Sequence, residues 1–232
     1  MRFSGLAERV TEVRGRIAES VGRGGHGQSV RLVAVTKTHG ADAVIAAAAA
    51  GLTDVGENKV QEATQKQDEL QAAGTMPAGL QWHLIGHLQT NKVKALSRFA
   101  MFHALDRARL ADAAAAAAIR SGTTIDVLVQ VNVAREESKG GYEIAALPRE
   151  AVRLMELPSL SVRGVMTMAP LDADEAMLRT VFGGARAALA VFREAGHAAT
   201  ELSMGMSGDY ELAVEEGATL VRLGTVLFGT RS

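Results

Sequence analysis

From Val30 onward the chain alternates short runs of aliphatic and β-branched residues with longer helical segments, and it does so eight times. VRLVAVTK precedes a segment over 41–50, TDVGE one over 59–72, LQWHLIGHL one over 91–97, and FAMFHALD one over 107–120. IDVLVQVNV then leads to 143–156, LSVRGVMTM to 172–195, ATELSMG to 207–216, and TLVRLG to a short segment from Thr225. Strands separated by helical crossovers pair in parallel, because each helix returns the chain to the end where the next strand must start. Eight such units match a (β/α)8 barrel, with an open doubly wound sheet as the structural alternative.

Ahead of this pattern, Leu6, Val10, Val13, Ile17 and Val21 recur at helical spacing and stop at Gly22, Gly24 and Gly25. They predict an extra amphipathic helix over residues 1–21, packed on the barrel. No Pro/Gly/Ser-rich linker interrupts the eight repeating units, so residues 1–232 are expected to form one domain.

Composition narrows the partners. The 232 residues are 47% hydrophobic and 22% charged, with a net charge of -1, which leaves no electrostatic footprint for nucleic acid or an anionic membrane. A small molecule is the expected ligand. The chain contains no cysteine, which excludes disulfides and thiolate catalysis and fits a reducing compartment, so cytoplasm is expected. The longest apolar stretches are alanine-rich and too short for a membrane span, and Glu8, Glu12 and Glu19 interrupt the N-terminus where a targeting segment would need an apolar core.

Chemistry can be sought at the strand ends. Period-two alternation along VRLVAVTK places Arg31, Val33, Val35 and Lys37 on one face. If the valines face inward, Lys37 points into the mouth where barrel active sites assemble. Desolvation there would lower its pKa and favour imine formation with an aldehyde. The plain alternative is a solvated strand-end lysine.

Two glycine-containing turns come after the seventh and eighth strands. In ELSMGMSGDYELA the amides near Ser207 and Gly208 and the Ser207 hydroxyl suit a phosphate, although an N-capped helix accounts for the same residues. In TLVRLGTVLFGTR, Gly224 and Thr225 fall just past the eighth strand, where glycine admits a close ligand. Barrels commonly bind phosphate between these two loops, so the pair favours a phosphate site. Arg222 shares a face with Leu220 and Gly224, so its guanidinium would point inward and need an acceptor. A carboxylate such as Glu57 and a ligand ring nitrogen are both open as partners.

Other candidates read as structural. His39, His83, His87 and His103 show no recognisable metal-ligand spacing and are taken as packed or surface residues. Met166, Met168, Met204 and Met206 are taken as core filling, and Lys139 as a solvated amine in REESKGGYE. No serine-histidine-acid triad is apparent.

These residues also stand in blocks. AVTKT, VGENKVQE, WHLIGHLQTNK, VNVAREESKGGY, GVMTMAP, LSMGMSGDYELA and VRLGTVLFGTR occur in order from about Val30 to the C-terminus. So arranged, the chain resembles the pyridoxal phosphate homeostasis protein family, whose members look like the barrel domain of alanine racemase. The resemblance implies pyridoxal 5'-phosphate as cofactor, held by Lys37 as a Schiff base. It implies a phosphate position on Ser207, Gly224 and Thr225, a pyridine-nitrogen contact from Arg222 and a ring-side contact from Asn58. Gly40 stands where many relatives carry proline.

The same resemblance implies storage, protection or delivery of the cofactor, with pyridoxal phosphate-dependent apoenzymes as recipients and a monomer as the working form. The alternative is an amino-acid racemase. That chemistry needs a second acid/base, which larger relatives bring from another domain; Tyr142 and Tyr210, the only two tyrosines, sit in or beside loops and read as ordinary solvated residues, so neither is nominated. A cofactor-free aldolase using Lys37 is a third reading. We expect no metal and no catalytic residue.

Overall fold

Each β-rich run folds as a strand and each periodic segment as a helix, and hydrophobic patterning explains both. The computed structural model describes residues 3–136 and 140–229. The strands are β1 (Arg31–Val35), β2 (Asp54–Glu57), β3 (Gln81–Leu84), β4 (Met101–Leu105), β5 (Ile125–Gln130), β6 (Leu160–Met166), β7 (Glu201–Ser203) and β8 (Leu220–Leu223). All pair in parallel in sequence order, and β8 returns to β1 with Arg222 opposite Val33. The sheet is a closed barrel, which removes the doubly wound alternative.

Around it lie α1 (Leu6–Gly24), α2 (Ala41–Ala49), α3 (Val60–Ala72), α4 (Ala108–Ser121), α5 (Leu147–Met155), α6 (Glu175–Glu194), α7 (Tyr210–Glu215) and α8 (Thr225–Phe228). Buried alanines on α2 and α4, among them Ala43, Ala47, Ala114 and Ala118, let these helices approach the strands closely. The third crossover is instead a 3-10 helix, Thr90–Arg98. Its two buried residues, Val93 and Leu96, are three apart, the spacing that a three-residue turn aligns on one face.

The N-terminal helix differs from its predicted bounds. It starts at Leu6 and runs to Gly24, where Gly25 adopts a left-handed conformation (φ 68°) and its N–H closes the last turn on the Val21 carbonyl. Leu6, Val10, Val13 and Ile17 are buried. Arg9 Nε donates to the Leu227 carbonyl at 2.6 Å and Arg23 pairs with Glu215, which fastens α1 across the last two units of the barrel. Among the described residues no helix is long and apolar enough to cross a membrane.

Barrel interiors are usually filled by branched apolar side chains. Here a polar chain crosses the interior instead. Asp54 Oδ1 lies 2.9 Å from His83 Nε2, His83 Nδ1 lies 2.8 Å from His103 Nε2, and His103 Nδ1 lies 2.9 Å from the Ser203 hydroxyl. Arg222 completes the chain by donating to Ser203 Oγ at 2.6 Å. Because β4 and β7 are not neighbours in the sheet, the His103 to Ser203 contact must span the barrel lumen.

Candidate functional site

The strands deliver their carboxyl ends to one mouth, where a cavity of about 610 Å³ opens. Its volume falls within the range of small-molecule pockets. Lys37, Asn58, Ser207, Arg222, Gly224 and Thr225 all line it. Lys37 does not end a strand as its run suggested. β1 stops at Val35, and Lys37 sits in the next turn between the buried Thr36 and the exposed Thr38. Thr38 adopts φ 68°, a left-handed conformation uncommon for a β-branched residue.

Asn58 comes directly after β2, and its position depends on a neighbour. A Cβ on Gly86 would lie 2.3 Å from the Asn58 carbonyl oxygen, so only glycine lets the loop after β3 pass so near.

The opposite end of the cavity is built from the loops after β7 and β8. Ser207 Oγ accepts from the Gly224 and Val226 amides, each at 3.3 Å, so one hydroxyl joins the two loops. No described residue accepts a hydrogen bond from the amides of Ser207, Gly208 or Thr225. The expected helix start at Ser207 lies three residues later, at Tyr210. In the intervening turn Asp209 Oδ1 accepts from the Met206 amide. The amides of Ser207, Gly208 and Thr225 and the hydroxyls of Ser207 and Thr225 belong to residues that line the cavity, a donor set suited to an anion.

Arg222 is buried, at 5% exposure, and its guanidinium reaches the cavity wall. Burial lowers its pKa to about 10, against the opposing attraction of Asp209, and leaves it cationic at neutral pH. Its partners are the Ser203 hydroxyl and, at 3.0 Å, the Thr167 carbonyl. Glu57 is not its acceptor: that carboxylate lies on the other face of the sheet, bonded to Thr36 and to Lys66 of α3.

Several wall residues carry no functional expectation from their sequence context. His87 Nδ1 lies 2.9 Å from Asp106 Oδ2, and both residues line the cavity, as do Gln130, Met168 and Met206. Met166 and Met204 are core, as expected of all four methionines. The available signal for His87, Asp106 and the two lining methionines is their position just past a barrel strand. His83 and His103 engage both ring nitrogens inside the barrel, which is a packing role. Tyr142 donates its hydroxyl to Glu150 at 2.7 Å, and burial raises its pKa far above the ordinary range; Tyr210 is buried at 4% exposure. Lys139 lies outside the described residues.

The family model described as the N-terminal domain of alanine racemase matches residues 18–232. A protein of Aquifex aeolicus named pyridoxal phosphate homeostasis protein is 40% identical over 227 residues, 97% of each chain. PipY of Synechococcus elongatus, solved with PLP bound, is 38% identical, with a TM-score of 0.84 over 97% of this chain and 100% of that one. The alanine racemase of Corynebacterium glutamicum is more distant, at 17% identity and a TM-score of 0.72 over 99% of this chain and 62% of that one. At that distance the likeness carries the fold alone. The chain therefore belongs to the alanine racemase N-terminal domain family and, within it, to the pyridoxal phosphate homeostasis proteins.

Proposed function

We propose that this chain binds pyridoxal 5'-phosphate and serves the cell's vitamin B6 homeostasis by storing, protecting or delivering that cofactor. One observation carries the reading: residues bearing an amine in the turn after β1, a set of amides in the loops after β7 and β8, and a buried guanidinium on β8 line one cavity. Those three functions match the aldehyde, the phosphate and the pyridine nitrogen of that molecule. When bound, the cofactor supplies an aldehyde and an electron-withdrawing ring.

In this reading Lys37 would be the residue that tethers the cofactor through its aldehyde, as a Schiff base. Ser207, Gly224 and Thr225 would hold the phosphate, Asn58 would lie beside the ring, and Arg222 would face the ring nitrogen. Arginine has only donors, so an Arg222 contact would keep that nitrogen unprotonated and the ring a weak electron sink. Such a ring favours holding the aldehyde over breaking bonds at an amino-acid α-carbon. We place the protein in the cytoplasm as a monomer acting as one cofactor-binding unit, with pyridoxal phosphate-dependent apoenzymes as recipients.

Borohydride reduction of the purified protein with the cofactor, followed by peptide mapping, tests the tether. The expected adduct is on Lys37, and Lys37→Ala removes both the adduct and the imine absorbance. An adduct on another lysine with Lys37 unmodified overturns the assignment. Exchange of an amino acid's α-hydrogen with solvent would favour the racemase instead.

A further inference from the structure

Behind the turn that carries Lys37 lies a buried charge cluster with no part in the cavity. Lys66 of α3 is 5% exposed, and its ammonium reaches three acceptors: Glu57 Oε1 at 2.6 Å, the Thr36 carbonyl at 2.9 Å and Glu62 Oε1 at 3.0 Å. An ammonium has three hydrogens, so the three contacts can engage all of them. Each acceptor leads back to the same turn. Glu57 Oε1 also accepts from the Thr36 hydroxyl at 2.6 Å, and Glu62 Oε1 accepts from the Thr38 amide at 2.6 Å.

Thr36 and Thr38 are the two chain neighbours of Lys37. The residue between them is therefore clamped from both sides, and the clamp includes the left-handed Thr38. A β-branched residue holds that conformation only where its surroundings overdetermine it. Glu57 is also the residue before Asn58, so the same ammonium ties the end of β2 to the end of β1.

We propose that Lys66, with Glu57 and Glu62, is the positioning device that aims the Lys37 amine into the cavity, and this rests on the reading that Lys37 forms the imine. Lys66 itself is not the reacting amine, because it is buried and its hydrogens are committed. The electrostatics agree: burial raises the pKa of Glu57, while the hydrogen bonds from Lys66 and the Thr38 amide outweigh burial at Glu62 and hold its pKa down.

A positioning role and a merely structural one separate with two ligands. Pyridoxal 5'-phosphate needs a correctly aimed amine, whereas pyridoxine 5'-phosphate has the same ring and phosphate but no aldehyde. For Lys66→Met we expect affinity for the aldehyde form to fall by about tenfold or more, the size of effect that loss of charged hydrogen bonds supports. Affinity for pyridoxine 5'-phosphate stays within about twofold, and the pH dependence of the imine absorbance shifts, while Lys66→Arg restores part of both. Equal losses for the two ligands, or no loss for either, overturn the proposal. If Lys66→Met does not fold, Glu62→Ala removes only the Thr38 side of the clamp. It should show the same selective loss at smaller size, and unchanged affinity for both ligands overturns the proposal equally. No Lys37 adduct in the unsubstituted chain sinks the cofactor reading and this inference together; an adduct there with an unaffected Lys66→Met sinks the inference alone.

Discussion

Ser207 shows how one atom serves two purposes in this barrel. Its oxygen accepts from the Gly224 and Val226 amides, and so joins the loops after β7 and β8, while the residue lines the cavity and its O–H is left to donate. The two accepted bonds are long at 3.3 Å, so the fold depends little on them. Ser207→Ala should therefore weaken phosphate-dependent binding by about five- to tenfold, a loss near 1 kcal/mol, with little change in denaturation midpoint. Titration with pyridoxal 5'-phosphate, read by the imine band, gives the affinity. An unchanged affinity would remove Ser207 from the phosphate site. That Ser207, Gly224 and Thr225 come together at one cavity is legible, because glycine and hydroxyl residues after the last two barrel strands have a physical meaning there. Lys66 was not, since a lysine in a polar helix stretch such as VQEATQKQDEL gives no hint that it points inward.

The elements show where local patterns inform and where they stop. Eight alternations specified eight strands and their parallel closure, but strand ends were overestimated because loops at the mouth keep β-like composition: Thr36 and Lys37 continue VRLVAVTK without continuing β1. Alternation in TDVGE separates Asp54 and Gly56 from Val55 and Glu57, yet it cannot say which pair faces the lumen. That ambiguity is why Glu57 was open as a partner for Arg222, whereas it packs outward on α3. Gly86 offers the test at this scale. A methyl group there meets the Asn58 carbonyl oxygen at 2.3 Å and the Asn58 Cα at 2.9 Å, so backbone must shift rather than a flexible side chain. Gly86→Ala should cost about 1–3 kcal/mol of stability and also weaken cofactor binding through displacement of Asn58. Urea denaturation and the same titration measure the two effects. A variant with wild-type values for both would mean that the loop after β3 relaxes freely.

Across the whole molecule, the polar chain from Asp54 to Arg222 links side chains that no local pattern connects; His103 and Ser203 are 100 residues apart. Sequence periodicity reports neighbours along an element, and a lumen-spanning contact leaves no such trace. The chain also makes stability depend on pH in a definite direction. Burial, reinforced by the neighbouring His83 and the positive charge of Arg222 and Arg31, holds the His103 pKa well below its ordinary 6.5. Between that ordinary value and the lowered one, the unfolded chain binds a proton that the folded chain refuses, so stability falls as the solution is acidified. The contribution is fully present above about pH 7.5 and is lost at up to about 1.4 kcal/mol per pH unit below about pH 6.5. Asp54, whose hydrogen bonds from His83 and Thr53 overcome burial to lower its pKa, acts in a separate window, as pH falls below its ordinary 3.8. Urea midpoints between about pH 7.5 and pH 5 should therefore decline for the unsubstituted chain. His103→Gln should be less stable at the upper end, having lost its Ser203 and His83 contacts, but should show a flatter decline, because the replacement cannot titrate. Parallel declines for the two chains would show that His103 takes up its proton without opposing the fold, and that the lumen accommodates a charge there.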